Sequence, residues 1–252
     1  MNSLTLTFKS FSNPDNCKLL VTGHNSLWID QTVKRIFDRL GGKYPIFARI
    51  MDGKPAGEQK AWVLSQGLPL QVFLLKGQEW QPTDYFDIVG PMESREMVMN
   101  LDARDAWTVD TTGVVPLYTL NVRLVTGFDF WTLDYVAMDF SENSPVEITY
   151  LPPDKVVDQD GQNVTGLLAG DDHRYLVQQE TGNQAVMVFS IPDTLRPPSS
   201  IFLHSKGYYH QMVNKNGGSE LAFVWDFLKP GHLSEWSFES HSRLRNLLTT
   251  KE

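Results

Sequence analysis

Residues 117–140 read LYTLNVRLVTGFDFWTLDYVAMDF, and the pattern of this stretch decides the fold. Tyr118, Leu120, Val122 and Leu124 fall on one side of an extended chain and Thr119, Asn121 and Arg123 on the other, the period-two signature of a strand with one wet face. Past Gly127 the apolar residues thicken through Phe128, Phe130, Trp131, Leu133, Tyr135, Val136 and Met138, as expected of a strand with both faces largely covered.

Similar runs flank this centre. Leu4, Leu6 and Phe8 alternate with Thr5 and Thr7, and after a break at residues 13–16 a second strand begins at residues 18–22. Between residues 26 and 42 the period changes. Val33, Ile36, Phe37 and Leu40 sit at helical spacing, Gly41-Gly42 stops them, and Ser26 and Asp30 are the candidates to cap the start. Strand-like runs follow at 46–51, 61–64, 70–75 and 97–101, with turn chemistry and no helix expected between them, which favours an antiparallel sandwich over parallel βαβ units.

The segment 143–154, with Asn143-Ser144-Pro145 and Pro152-Pro153, has the composition of a connector. The expected organisation is therefore a β-sandwich over 1–142 and a smaller β-rich lobe over 143–252. The second lobe carries strands at 146–150, 175–178, 185–191, 201–204 and 221–228 and a helix at 242–252. The fold class is all-β, a jelly-roll-like antiparallel sandwich with one short amphipathic helix.

Composition narrows the function classes. The 252 residues are 41% apolar and 21% charged, as in an average soluble domain, and no apolar run approaches the length of a membrane span. A net charge of −8 without a lysine and arginine cluster argues against nucleic acid and anionic membrane surfaces. The first residues form no basic and then apolar leader, so the expectation is a cytoplasmic chain or a piece of a larger exported protein. Cys17, the single cysteine, allows no internal disulfide and reads as a small buried hydrophobe.

Two stretches resemble known families. RLVT at 123–126 followed by WTLDYV at 131–136 resembles the last strands of galactose-binding-like jelly rolls, where a closing strand is followed by a Trp-x-x-Asp-x-Val strand. Residues 161–182, with Asp171-Asp172 and Arg174-Tyr175, and IFLHSKGY at 201–208 are similar to the C-terminal β-rich region of bacterial proteins that carry FG-GAP propellers and an ASPIC/UnbV segment. That family's Gly-Trp is Gly207-Tyr208 here, and the acidic run that follows it is replaced by YHQMV, so no cation role carries over. The resemblance covers about half the chain and implies a β module without catalytic residues of its own.

No nucleophile elbow, P-loop or dinucleotide fingerprint occurs, and the six histidines stand at no metal-ligand spacing, so no cofactor or metal is expected. His204 and His210 lie six apart across Gly207 and do not pair as zinc ligands. Asp158, Asp160 and Asn163 put oxygen ligands at alternate positions of a short loop, which fits a hard cation in chemistry and a hairpin turn in spacing; the turn is the better reading. Asp102 with Asp105 and Asp171 with Asp172 are the carboxylate pairs a glycoside hydrolase reading would need.

The remaining signal is aromatic. Phe128, Phe130 and Trp131 belong to the core, whereas Trp80, Tyr85, Trp107, Tyr208 and Tyr209 sit in more polar, turn-like surroundings and are the ligand candidates. The expected function is a non-catalytic module that binds a carbohydrate or docks to another protein. The alternatives are a structural subunit and a glycoside hydrolase-like enzyme.

Overall fold

The computed structural model describes residues 1–12, 14, 16–195, 200–207 and 218–249. The chain divides into two compact units, one made of Met1–Asn143 with Met212–Glu252 and one of Ser144–Gln211. Every strand pairing among the described residues is antiparallel.

Among its described residues the first unit contains eight strands: β1 (Asn2–Ser10), β2 (Cys17–Asn25), β3 (Leu70–Lys76), β4 (Glu79–Phe86), β5 (Arg95–Leu101), β6 (Trp107–Asp110), β7 (Leu117–Thr126) and β8 (Trp131–Asp139). A five-stranded sheet runs β1-β7-β3-β4, with β6 also paired to β7, and a three-stranded sheet runs β5-β2-β8. The opening strands β1 and β2 therefore do not pair with each other, and the two halves of the central stretch, β7 and β8, serve different sheets.

The faces of β7 follow its alternation. Leu120, Val122 and Leu124 are buried, and Arg123 is paired with Thr5 on one neighbour and Phe73 on the other. In β8 the thicker apolar run does not bury both faces: Thr132 and Asp134 are exposed and Tyr135 is 58% exposed. β8 is an edge strand, paired with β2 alone. Leu19, Val21 and Met99 from the three-stranded sheet share one hydrophobic cluster with Val72, Leu74, Leu120 and Val122 from the five-stranded one.

The described residues include five α-helices: α1 (Leu27–Leu40), α2 (Tyr44–Asp52), α3 (Ala56–Ser65), α4 (Leu221–Asp226) and α5 (His232–Thr249). The first matches its expected span and stops at Gly41, but Ser26 caps it without a side-chain bond, because its hydroxyl donates instead to the Asp129 carbonyl. The runs at 46–51 and 61–64, expected as strands, are helical. Ile46 with Ile50 and Phe47 with Met51 stand four apart, Pro45 pre-sets the first turn of α2, and such short apolar runs do not distinguish the two periods. Residues 221–226 are likewise helix rather than strand.

The C-terminal helix packs into the first unit. Gln66, fully buried, donates to the Phe227 and Lys229 carbonyls at 3.0 and 2.9 Å and accepts from the Leu233 amide at 3.0 Å. The Trp62 indole donates to Phe227 O at 2.8 Å, and Trp28 Nε1 donates to Ser237 Oγ at 2.7 Å. Ser234 accepts from the Phe128 amide and Ser237 donates to the Phe128 carbonyl. The Gln66, Trp62, Trp28, Ser234 and Ser237 side chains thus each have a partner, the condition under which polar groups can be buried without large cost. Gly127 lets Phe130 enter beside it, since a Cβ there would lie 2.3 Å from the Phe130 ring.

In the second unit β9 (Lys155–Asp158) and β10 (Ala185–Val188) form a two-stranded sheet. The expected strands at 146–150, 175–178 and 201–204 are not strands, and Val146, Ile148 and Tyr150 are 77%, 68% and 76% exposed.

Candidate functional site

The outward face of the five-stranded sheet collects aromatic and cationic groups. Its geometry begins at the tight turn Gly77-Gln78, where Lys76 pairs directly with Glu79 and Gly77 takes a φ of +64°, a conformation that costs glycine least. The turn sets the register of β4, opposing Trp80 to Leu75 and Tyr85 to Gln71. An extra residue between the partners of Val72 and Phe73 keeps Pro82 opposite Phe73 and leaves both aromatic residues on the Phe73 side. Pro82 is tolerated because β4 is an edge strand.

Trp80 and Tyr85 are half-buried, and each has a cation over its ring. The Arg123 guanidinium lies 4.0 Å from the Trp80 centroid and the Lys60 ammonium 4.7 Å from that of Tyr85. Arg123 comes from β7 and Trp80 from β4, so the two meet above β3, the strand between them. Arg123 Nε donates to Thr5 Oγ1 at 3.3 Å, and Thr7 Oγ1 donates to Asn121 Oδ1 at 2.8 Å beside it. The side chain is therefore held at one N–H and across its plane, leaving its terminal nitrogens for a ligand.

The other candidates lie elsewhere. Trp107 opposes Leu120 on the inward side of β6 and packs against the core, with its ring 6.5 Å from that of Tyr118 and 5.9 Å from that of Phe140. Its Nε1 is buried without a partner among the described residues, so Trp107 contributes to packing rather than to the outward face. Tyr208 and Tyr209, with His210, fall outside the described residues. Arg123 was legible on the sequence only as a member of a wet face, and its strand neighbours were not.

A shallow, open groove of about 490 Å³ lies where the end of β4 meets β5, lined by Asp84 to Asp87 and Met97 to Asn100. Asp158 Oδ1 accepts from the Asp160 and Gln162 amides at 3.0 and 2.8 Å, so its loop closes as a turn on its own backbone. Three members of the carboxylate pairs, Asp102, Asp171 and Asp172, have basic partners. A bidentate bond from Arg104 holds Asp102 down at about 2, Arg174 lowers Asp172, and Lys206 pairs with Asp171. At Asp102 and Asp172 the arginine favours the charged carboxylate, the opposite of what a general acid requires.

Among the described residues no helix is long and apolar enough to cross a membrane. The chain matches no protein-family model, no curated protein and no solved structure.

Proposed function

We propose that the protein is a non-catalytic binding module that takes a carbohydrate on the outward face of its five-stranded sheet. One observation carries the reading: Trp80 and Tyr85 share one side of β4 on a rigid sheet, with Arg123 and Lys60 over their rings. Trp80 and Tyr85 are half-buried, so the parts of their rings that the cations leave uncovered supply apolar contact to a sugar ring, and the hydroxyls and amide of Thr5, Thr7 and Asn121 alongside supply polar partners. The same proposal includes a jelly-roll-like, galactose-binding-like sandwich, supported by the hydrophobic cluster that both sheets feed.

A glycan array followed by titration calorimetry on the full chain tests this reading. The expected result is a glycan whose affinity falls about tenfold in Trp80→Ala while the melting temperature holds. Binding that survives both Trp80→Ala and Tyr85→Ala, or turnover of the glycan, overturns it.

A structural-subunit role is the second reading, favoured by the exposed apolar residues of the second unit, among them Ile201, Phe202 and Leu203. Light scattering across a concentration series separates the two, because a monomer throughout removes the subunit role.

A further inference from the structure

We propose that the ligand of this face is an acidic polysaccharide, a polymer of uronate sugars, with the terminal nitrogens of Arg123 gripping a carboxylate while Trp80 holds the guanidinium flat. The inference rests on the carbohydrate reading and adds the charge of the sugar.

Charge distribution is the first argument. The chain carries a net charge of −8, yet the residues opposed across the outward side of β1, β7, β3 and β4 are Thr5, Thr7 and Lys9; Thr119, Asn121 and Arg123; Gln71, Phe73 and Leu75; and Trp80, Pro82 and Tyr85. None is a carboxylate. On β6 the outward Asp110 has its carboxylate engaged by the Thr112 amide and hydroxyl. Beyond Arg123 and Lys9, Lys60 adds a third positive charge, above Tyr85 and about 15 Å along β4 from Trp80, a spacing that a polymer can bridge and a single small anion cannot.

Preorganisation is the second argument. Among the described residues no carboxylate pairs with Arg123, while Thr5 and Trp80 fix its orientation from two directions. A guanidinium held in this way loses little freedom when it forms a two-point bond to a carboxylate. The hydroxyls and amide of Thr5, Thr7, Thr119 and Asn121 stand on strands spaced about 4.8 Å apart, matching the hydroxyl-rich surface of a sugar chain better than the apolar anchors of a peptide.

The experiment compares polygalacturonate with the same polymer fully methyl-esterified, which keeps the sugar ring and removes the charge. Calorimetry on the full chain should give affinity about tenfold higher for the acid form, and Arg123→Gln should bring it to the level of the ester with the melting temperature unchanged. Affinity for the acid form should fall as salt rises from roughly 50 to 200 mM. If Arg123→Gln fails to fold, Arg123→Lys keeps the charge without the two-point grip and should retain only part of the preference.

Equal binding of both polymers, abolished by Trp80→Ala, overturns the acidic preference and leaves the carbohydrate site standing. Binding of neither, with neutral glycans also inert, removes the carbohydrate site itself. Polyglutamate that binds as tightly as polygalacturonate, with the same loss in Arg123→Gln, assigns the face to an acidic peptide and overturns the proposal.

Discussion

Leu19, Val72, Leu120 and Phe130 in the first unit have no accessible surface, whereas among the described residues of the second unit Val156 is the one buried apolar side chain and Phe202 stands 88% exposed. The sequences behind this contrast look alike. PVEITYL at 145–151 alternates as cleanly as LYTLNVRLV at 117–125, yet only the latter is a strand. Alternation prepares a segment to pair, and the strand forms only where neighbours supply both hydrogen-bond partners and an apolar layer. β7 has β1 on one edge and β3 and β6 on the other, with a shared core beneath.

The largest test of this contrast is a matched pair of substitutions. Leu124→Asp places an unpaired charge in the first unit's core, a cost of several kcal/mol against a typical total of about 5–15, and soluble expression should be lost. Val156→Asp makes the same change at the second unit's buried site and should leave the main melting transition in place. A soluble, cooperatively melting Leu124→Asp protein would show that the faces of β7 are reversed.

A smaller effect is expected at the C-terminal seam. Gln66→Leu keeps the volume but leaves the Lys229 carbonyl and the buried Leu233 amide without that partner, for about 2–4 kcal/mol. Hydrogen exchange should speed up in α5 before it changes in β7. Unchanged protection of α5 would mean that the seam is held by ring packing, such as Phe227 against Trp236, and not by these bonds.

Phe202→Ser should move stability by less than about 0.5 kcal/mol in a dilute monomer, since an exposed side chain loses little on truncation. A drop that grows with protein concentration would instead reveal an assembly that covers it.

The smallest effects concern the matching exposed pairs Asp102 with Arg104 and Asp172 with Arg174. Arg104 depresses Asp102 to about 2 from an ordinary 3.8, so the contribution of this group is present above the unfolded value and is lost as pH falls through about 2. Arg104→Gln should raise the Asp102 midpoint, read by carboxyl-carbon NMR, and flatten the fall in stability between those two values. Arg174→Gln should raise Asp172 in the same direction. An unmoved Asp102 would mean that the bidentate contact is absent in solution.

The sequence reveals the inward face of β7, the span of α1 and the turn at Gly77, because each is specified by neighbours in the chain. It conceals β4, whose EWQPTDYF mixes a proline with polar residues and reads as a loop; only its place at a sheet edge makes the proline acceptable. The meeting of Trp80 with Arg123 is hidden for another reason. It depends on the order β7-β3-β4, which joins strands that are not successive in the chain. Trp107 was misplaced because its polar surroundings along the sequence, Asp105 and Thr108, say nothing of Leu120, its partner across the sheet.

The return of the C-terminal segment to the first unit has a consequence for biosynthesis. Trp62 and its acceptor carbonyl on Phe227 are 165 residues apart, so at about 5–20 residues per second the acceptor is made roughly 8–33 s after the indole. Throughout that interval Trp62, Gln66 and the apolar surface meant for Phe227 and Leu233 wait uncovered while β3 to β8 and then the second unit are translated. Ribosome-bound chains that stall inside Ser144–Gln211 should therefore recruit chaperones and aggregate more readily than the released protein, even with β1 to β8 already synthesised.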